Sequence, residues 1–427
     1  MTATESPPKL KKQKIDLENV CYCQYILPKK NKRCKMMRKK YNKYCSEHMI
    51  FNDTNDSSCE KKKRITCPLD PSHTIWENDI KGHMFKCNAR PKTRHEPWFQ
   101  LNYNCSLVGV NDDDFTPQDD DPLTEEKKYI DLVDSKEYQP LSFHVCNHKG
   151  LTTQLEQRTF QKHVLQQSSL IGNLKRLHLL SPECFYVEFG CGKGELSRYV
   201  NQCILEENRG REDSDSSHYG YGLIDRGTNR LKADSKIVSD SETSSLHPLI
   251  KRSKIDIKDL NLDLFLKEVN PTKLVVISKH LCGAATDLTL KSLLNSCIFQ
   301  NNQFCGVLIA MCCRHLCSYD QLLPQSKKYL YNLGFKSRQS FDTLKKMVSW
   351  AIDASKPEAT GDEEEMHSSG LNAKERQECG LKARRILDES RAFALKSILG
   401  DAFQVEIFWY VTTETTLENV CLSVTKK

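Results

Sequence analysis

Long apolar runs are missing from this 427-residue sequence, and their absence limits where the protein can work. No stretch approaches the ~18 to 20 apolar residues of a membrane-spanning helix. The first 14 residues are polar and rich in lysine, whereas a secretory signal has an apolar centre. We therefore predict an intracellular protein of the nucleus, the cytoplasm or both, with no membrane contact.

A strong charge of one sign is missing as well. Lys plus Arg number 63 and Asp plus Glu number 56, which leaves a formal net charge of +7. This balance favours a polyanionic partner only mildly, so the clustering of basic residues matters more than their total. Disulfides are not expected, because intracellular thiols stay reduced. The 20 cysteines are therefore interpreted as metal ligands, buried thiols or catalytic groups.

Composition divides the chain into segments. Residues 1–19 are predicted to form a disordered basic tail. Residues 20–95 are rich in cysteine, histidine and lysine but have too few aliphatic residues for a core, so this segment needs a metal to hold it together. Residues 111–137 are acidic and poor in aliphatic residues, as is typical of a linker. Three polar or acidic stretches are interpreted as inserts in a later domain: 206–218, 235–245 and 353–369.

From about Phe160 onward, the apolar pattern alternates between strands and helices. The predicted strands are 184–189, 219–225, a short one around Ile255, 274–277, 306–310, 404–412 and 419–425, with early helices at 163–180 and 195–205. Such alternation implies a doubly wound parallel sheet of the α/β class. The close final pair of strands implies that one edge strand is antiparallel.

A glycine-rich loop follows the first of these strands. Gly190, Gly192 and Gly194 have the spacing G-x-G-x-G. Glycine lets a backbone turn tightly and approach a ligand closely. A loop that binds a dinucleotide has its third glycine one position later. An acidic residue followed by this spacing, here Glu188, instead suits the methionine portion of S-adenosylmethionine.

Two carboxylates complete the predicted cofactor site. Asp225 ends the second strand, where a carboxylate can accept hydrogen bonds from both ribose hydroxyls. Asp256 follows the third strand and can reach the adenine amino group, with Ile257 packing on the ring. The same spacing fits a surface strand of alternating charge about equally well.

Two sets of cysteine and histidine residues in the N-terminal segment have the spacing of structural zinc sites. Zinc prefers four thiolate or imidazole ligands in a tetrahedron. The first set is Cys23, Cys34, Cys45 and His48, in a domain predicted at 20–50; the second is Cys67, His73, His83 and Cys87, in a domain predicted at 64–92. Cys21 is an alternative to Cys23, although Cys23 lies two residues from the aromatic Tyr25. We expect two structural zinc ions, with nearby lysines that either contact nucleic acid or form a solvated face.

Two further segments carry a family resemblance. The sequence KHLCGAATDL at 279–288 follows the fourth strand, and MCCRHLC at 311–317 follows the fifth. Together with both finger patterns, they resemble the eukaryotic tRNA 2'-O-methyltransferases that modify the ribose at the fourth nucleotide of the acceptor stem. The resemblance covers nearly the whole chain. One departure is Arg314, since relatives usually carry two adjacent histidines where this chain has Arg314 and His315.

This resemblance implies the architecture and the ligands. We expect a Rossmann-like S-adenosylmethionine methyltransferase sheet with an antiparallel edge strand, in a domain at 141–427, preceded by a CCCH and a CHHC zinc finger. The implied cofactors are S-adenosylmethionine and zinc, and the implied partner is tRNA. We expect the protein to be a monomer.

The implied chemistry is attack by a ribose 2'-hydroxyl, whose proton a base must accept. Lys279 and His280 lie at the end of the fourth strand, where methyltransferases usually contact the methyl acceptor. Either residue can serve as the base once its pKa is adjusted. Asp287 is interpreted either as orienting one of them or as capping the following helix.

Two more groups of residues are interpreted from their pattern. Cys313, His315 and Cys317 would share one face of an extended chain, as buried thiols beside the substrate or as a third zinc site. Basic residues on a predicted helix either follow the acceptor-stem backbone or form a solvated face. These are Lys374, Arg376, Lys382, Arg384, Arg385 and Arg391.

Two other functions stand beside the favoured one. A non-catalytic RNA-binding zinc protein fits the fingers, because the CHHC finger also resembles that of a minor-spliceosome component. The complete glycine motif and both carboxylates favour an active enzyme instead. A methyltransferase for a base or a protein is the other alternative. Methylation of a base nitrogen often uses an Asn/Asp-Pro-Pro-aromatic segment near the fourth strand, which differs from the segment found here.

Overall fold

A computed structural model of the chain describes residues 21–27, 32–51, 64–71, 73–87, 89–90, 96–110, 126–157, 161–210, 218–229, 231–353 and 369–427. The predicted tail at 1–19 and most of the acidic stretch at 353–369 lie outside the described residues. Contacts divide the chain into two compact units, Met1–Arg94 and His95–Lys427. Among the described helices, none is both long enough and apolar enough to cross a membrane.

The first unit is built from very short elements. Its strands are β1 (Ile26–Leu27), β2 (Lys32–Arg33), β3 (Arg64–Thr66) and β4 (Thr74–Trp76). Its helices are two 3-10 helices, at Ser46–Phe51 and Glu77–Asp79, and α1 (Ile80–Lys86). The strands pair as two antiparallel hairpins. The buried apolar groups are mainly cysteines, with Ile75 in the second cluster. A core this small cannot hold a chain together without a metal or another crosslink.

The second unit contains an eight-stranded sheet. Its strands are β5 (Ser142–Phe143), β6 (Phe185–Phe189), β7 (Gly220–Asp225), β8 (Leu249–Lys254), β9 (Leu274–Cys282), β10 (Phe304–Cys312), β11 (Phe403–Trp409) and β12 (Val420–Lys426). Their spatial order is β5-β11-β12-β10-β9-β6-β7-β8. The reversed strand, β12, is antiparallel to both of its neighbours, and the other pairs are parallel. It therefore lies inside the sheet, with β11 and β5 beyond it, rather than at the outermost position.

Helices cover the sheet. They are α2 (Glu126–Ser135), α3 (Thr152–Gln157), α4 (Lys162–Arg176), α5 (Glu195–Glu207), α6 (Asp234–Ser241), α7 (Leu262–Leu266), α8 (Ala284–Leu294), α9 (Pro324–Leu333), α10 (Arg338–Asp353) and α11 (Ala373–Leu399). Alternate residues of β6 belong to opposite cores, with Phe185 and Val187 in one and Tyr186 in the other. A parallel sheet buried on both faces needs such continuously apolar strands. The α/β prediction is confirmed.

Four of the predicted segments differ from the structure. The linker prediction is wrong for Glu126–Ser135, which forms α2 and buries Tyr129, Ile130 and Val133 among α9, α10 and α11. The polar stretch 235–245 contains most of α6, because Ile237 packs into the core. Strands β9 and β10 both continue past their predicted ends, to Cys282 and Cys312. Pairing with neighbouring strands extends them, and that pairing has no local sequence signal.

Candidate active site and zinc centres

The glycine loop has the geometry that its composition predicts. Gly190, Gly192 and Gly194 all have positive φ, at 65°, 53° and 82°, a region that side chains with a Cβ rarely adopt. A Cβ on Gly190 would lie 3.0 Å from the carbonyl oxygen of His280. The loop therefore lies directly against the end of β9, and a larger residue at position 190 would separate them.

The two predicted cofactor carboxylates lie at neighbouring strand ends. Asp225 accepts hydrogen bonds from the backbone amides of Gly192 at 2.7 Å and Gly227 at 2.6 Å. Each carboxylate oxygen has a second lone pair, so Asp225 can still accept from a ligand. Asp256 accepts from the amide of Lys258 at 3.2 Å and caps a short 3-10 helix. Ile257 belongs to the hydrophobic core, where its side chain is 8% exposed.

Glu188 lies beneath the loop rather than at its surface. Its side chain is buried and accepts hydrogen bonds from the amide and the hydroxyl of Ser197, in the first turn of α5. Burial raises the pKa of Glu188 to about 7. This carboxyl group thus fixes the helix that follows the glycine loop.

Arg252 holds the loop from β8, a contact that sequence reasoning missed. It forms a two-point ion pair with Asp234, with N···O distances of 2.8 and 2.7 Å. It also donates to the carbonyl oxygen of Gly192 at 3.0 Å. The only available signal was a basic residue in a polar strand, which the sequence alone does not distinguish from a solvated one.

Lys279 and His280 lie beside the loop, and they differ in environment. Lys279 is 9% exposed, and its Nζ lies 3.2 Å from Nδ1 of His163 in the first turn of α4. Burial lowers the pKa of Lys279 to about 8. His280 is exposed at the surface. Desolvation on its protein side, followed by the charges of Lys279 and His163, lowers the pKa of His280 to about 4.

The first cysteine and histidine set converges in the hairpin unit. Ligand atoms of Cys23, Cys34, Cys45 and His48 all lie within 4.8 Å of one another. Nδ1 of His48 is 3.4 Å from Sγ of Cys23 and 3.3 Å from Sγ of Cys45. Tyr25 stacks on His48 at a centroid distance of 4.1 Å. Cys21 is not part of this group, so the cluster contains Cys23.

The second set converges in the same way. The four atoms of Cys67, His73, His83 and Cys87 also lie within 4.8 Å of one another. The distances between these atoms run from 3.2 Å, between the two histidine Nε2 atoms, to 3.8 Å, between Sγ of Cys87 and Nε2 of His73. Zinc–sulfur bonds of about 2.3 Å and zinc–nitrogen bonds of about 2.0 Å give tetrahedral edges of about 3.3 to 3.8 Å. Both clusters therefore fit a zinc ion.

Glu47 links the two fingers. Its carboxylate accepts from Arg64 at 2.8 Å and from the Thr74 hydroxyl at 3.1 Å, and both of these residues belong to the second finger. The salt bridge is half-exposed on the glutamate side, so it contributes less than about 1 kcal/mol. Its consequence is geometric, because it fixes the second hairpin against the helix that carries His48.

Comparisons with known proteins agree with this geometry. The family model described as "Methyltransferase TRM13" matches residues 165–425. The models described as "CCCH zinc finger in TRM13 protein" and "U11-48K-like CHHC zinc finger" match 22–49 and 64–88. The chain belongs to the TRM13 methyltransferase family. Its cofactors are S-adenosylmethionine and zinc, and it is an enzyme rather than a non-catalytic zinc protein.

Curated members of the TRM13 family resemble the chain along its length. A protein of Debaryomyces hansenii named "tRNA:m(4)X modification enzyme TRM13" is 49% identical, over 97% of this chain and 93% of its own. Proteins of the same name from Scheffersomyces stipitis and Saccharomyces cerevisiae are 49% and 36% identical. They cover 93% and 95% of this chain, and 98% and 96% of their own. No solved structure matches the chain.

Asp287 has neither of the roles predicted for it in this TRM13 methyltransferase. It makes a two-point ion pair with Arg391, at 2.9 and 2.8 Å, and both side chains are at most 1% exposed. In the described part of the chain, no side chain caps α8, which begins after Gly283. Arg391 also donates to Sγ of Cys317 at 2.9 Å, and this holds Cys317 inside the fold.

Arg314, which stands where the resemblance led us to expect a second histidine, is buried as well. It pairs with Asp388 on α11 at 2.7 and 2.8 Å and with Glu418 before β12. Arg384 shares Glu418 and is 4% exposed. The prediction that the basic residues of α11 follow an RNA backbone is therefore wrong for Arg384 and Arg391. Burial of one helix face is a tertiary property that charge counting does not detect.

The group of Cys313, His315 and Cys317 does not form in this TRM13 chain. Cys313 has a left-handed backbone, with φ 45° and ψ 44°, and a 3-10 turn follows at Arg314–Leu316, so the chain is not extended. The three thiols that do converge are Cys282, Cys312 and Cys313, whose sulfur atoms lie within 4.8 Å of one another.

Proposed function

We propose that this protein transfers a methyl group to the 2'-hydroxyl of the ribose at the fourth nucleotide of a tRNA acceptor stem. Membership of the TRM13 family supports a methyltransferase, and the printed names of its relatives support tRNA as the substrate. The observation that carries the ribose chemistry is Lys279. It is a buried amine at the acceptor end of β9, next to His280, whose carbonyl lies against Gly190 of the glycine loop.

The proposed cofactor site combines the loop with the strand-end carboxylates. S-adenosylmethionine supplies the methyl group on a positively charged sulfur. Gly190, Gly192 and Gly194 would let it approach the backbone closely, Asp225 would accept hydrogen bonds from its ribose hydroxyls, and Asp256 would accept one from its adenine amino group. Two other residues keep the loop in position. Glu188 accepts a hydrogen bond from the first turn of α5, and Arg252 donates one to the Gly192 carbonyl oxygen.

Lys279 is proposed as the general base. The amine must be neutral to accept the 2'-hydroxyl proton, and a pKa of about 8 leaves a usable neutral fraction near physiological pH. A hydrogen bond between Nδ1 of His163 and Nζ of Lys279 orients the amine. Lys279 would accept the proton of the 2'-hydroxyl, and bound S-adenosylmethionine would supply the methyl group to the 2'-oxygen, with the neutral thioether as the leaving group. His280, with a pKa near 4, is a weaker base and is proposed to contact the acceptor.

A cavity near the acceptor end supports an RNA substrate. Its volume is about 580 Å³, and Arg314, just beyond β10, forms part of its wall. Phe143 and Trp409 line it in an edge-to-face pair with centroids 5.9 Å apart. Their side chains are 53% and 38% exposed, so they are available to a base. Exposed aromatic rings of this kind stack on nucleotides.

The fingers are proposed to bind the same tRNA. Cys23, Cys34, Cys45 and His48 hold one zinc ion, and Cys67, His73, His83 and Cys87 hold the other. Folding of so small a unit depends on ligation, so the metal makes an RNA-binding surface available. A tRNA substrate places the protein inside the cell, in the nucleus or the cytoplasm, and we expect it to act as a monomer.

The product of the reaction tests this function. Purified full-length protein is incubated with tRNA and the cofactor, and the RNA is then digested and analysed by nucleoside mass spectrometry. We expect one 2'-O-methylated nucleotide within the acceptor-stem fragment, because the wide minor groove of A-form RNA presents 2'-hydroxyls. DNA of the same sequence lacks the nucleophile and should remain unmodified. Methylation of a base, or of a nucleotide outside the stem, would contradict the proposal.

A further inference from the structure

Three thiols meet at the acceptor end of the sheet, outside both fingers. Cys282 ends β9 and Cys312 ends β10, and the two are paired residues of neighbouring parallel strands. Their sulfur atoms are 3.6 Å apart. Cys313 follows directly, and its sulfur lies within 4.8 Å of both. The three residues come from two segments about thirty positions apart, so the sheet itself assembles them.

The separation of these sulfur atoms is that of zinc ligands. A tetrahedral ion with zinc–sulfur bonds of about 2.3 Å has sulfur atoms about 3.8 Å apart. In the CHHC finger, Sγ of Cys67 and Sγ of Cys87 are 3.7 Å apart. Cys282 and Cys312 therefore have nearly the same spacing as two thiols of a zinc centre in the same chain. A disulfide would place them at about 2.05 Å.

The backbone is shaped to bring the third thiol to this point. Adjacent residues of a strand point to opposite faces, which would separate the sulfurs of Cys312 and Cys313. The left-handed conformation of Cys313, at φ 45°, removes that alternation. Such a conformation is disfavoured in a residue with a Cβ and persists where surrounding contacts impose it. Here the Cys313 amide donates to Glu418 at 3.3 Å, which holds the turn.

Gly283 allows the two segments to approach. It has a positive φ of 55°, and a Cβ at this position would lie 2.4 Å from the backbone of Leu316. No side chain fits there, so only glycine lets the loop after Cys282 pack on the turn after Cys313. Gly283 therefore allows the close packing that brings Cys282 to Cys312 and Cys313.

A fourth donor is available next to the thiols. His315 lies two residues after Cys313, and its Nδ1 is buried with no hydrogen-bond partner among the described residues. Buried polar atoms without a partner are uncommon and call for an explanation. The His315 ring does not lie with the three sulfur atoms, so its side chain must rotate toward them to become a ligand. Cys282 is exposed, which gives an ion a route into the cluster.

From these contacts we propose that Cys282, Cys312 and Cys313 bind a third zinc ion, with His315 as the fourth ligand. Thiolates favour zinc over the harder divalent cations. The ion ties the ends of β9 and β10 together, three residues beyond Lys279. This ion would be separate from the two zinc ions of the fingers, and it would fix the position of the acceptor end of the sheet rather than take part in the proposed methyl transfer.

The metal content of the full-length protein tests the site. Purified protein, with excess metal removed, should contain about three zinc ions per chain by elemental analysis, and Cys282→Ser should contain about two. Cys297→Ser is the matched control, because Cys297 is also exposed but belongs to no cluster of the described residues, and it should keep three. Two ions in the wild-type protein, or three in Cys282→Ser, would overturn the proposal.

A second measurement avoids substitution altogether. The native protein is treated with a thiol-alkylating reagent, with and without a zinc chelator, and each cysteine peptide is followed by mass spectrometry. Alkylation of Cys282 should be slow until the chelator is added, although the residue is exposed, whereas that of Cys297 should not change. Equal alkylation of Cys282 in both conditions, or a Cys282–Cys312 disulfide in freshly purified protein, would show that the cluster holds no metal.

Discussion

The pH dependence of methyl transfer distinguishes Lys279 from His280 as the base. Burial lowers the pKa of Lys279 to about 8, while the pKa of His280 lies at about 4. A base acts only when it is deprotonated. From the Lys279 value, roughly 1% of the amine is neutral at pH 6, roughly 10% at pH 7 and roughly 50% at pH 8. The rate should therefore rise about 50-fold between pH 6 and pH 8 and then level off.

Single-turnover methylation of tRNA, with cofactor and enzyme in excess, is the appropriate assay, because it isolates chemistry from product release. The inflection should fall at or below pH 8, since a positive sulfonium beside Lys279 further disfavours the ammonium. Lys279→Met should lose about 100-fold or more in rate at pH 8, as expected when a general base is removed. Lys267→Met, at an exposed lysine, is the control and should leave the rate unchanged.

The outcome that would refute this reasoning is equally clear. If His280 is the base, it is already neutral above pH 5, and the profile is flat from pH 6 to pH 9. A flat profile, or a Lys279→Met variant with unchanged rate, would remove Lys279 from the mechanism. Cofactor and tRNA affinities, measured separately on Lys279→Met, should remain near wild-type values, because the amine is proposed to act on a proton rather than in binding.

Three further outcomes are expected. Gly190→Ala should weaken binding of S-adenosylmethionine about 10-fold or more by calorimetry, because the new Cβ strains the loop and meets the end of β9. Gly210 also has a positive φ but has open space around it, so Gly210→Ala should leave the affinity for S-adenosylmethionine unchanged. Equal losses of affinity in the two variants would contradict the assignment of the loop to the cofactor. Arg391→Met should lower the free energy of unfolding by about 3 to 5 kcal/mol in denaturant titration, because it leaves Asp287 buried without its cation; a loss below about 1 kcal/mol would contradict the buried pair. Zinc chelation should abolish hydrogen-exchange protection in the fingers while β6 stays protected, and fingers that remain protected would show that metal does not hold them.

The geometry of the glycine loop and the convergence of both cysteine and histidine sets could be predicted from the sequence, for a common physical reason. Their residues lie close together along the chain or at the ends of apolar strands, and their chemistry restricts the residue types. The turn at Gly190 requires glycine whatever surrounds it, and four thiolate or imidazole ligands in a short polar segment have few other uses. Strand and helix alternation likewise predicted the sheet, because apolar periodicity is a local property.

Side-chain environments at the acceptor end were decided by tertiary structure. Lys279 is buried and contacts His163, which lies more than a hundred residues earlier in the chain, whereas His280 is exposed. From the sequence, Asp287 was interpreted as a possible helix cap and Arg391 as a possible RNA contact. In the fold, the two side chains form a buried ion pair with each other.

The thiol cluster shows the same division. The sequence by itself determined that cysteines lie close to the ends of both apolar strands, and it showed a glycine after Cys282. Which sulfurs meet depended on how far the two strands extend, on their register, and on the left-handed turn at Cys313. Register and backbone handedness at a single residue depend on packing by distant segments. They are therefore properties of the folded chain rather than of the pattern of residues along it.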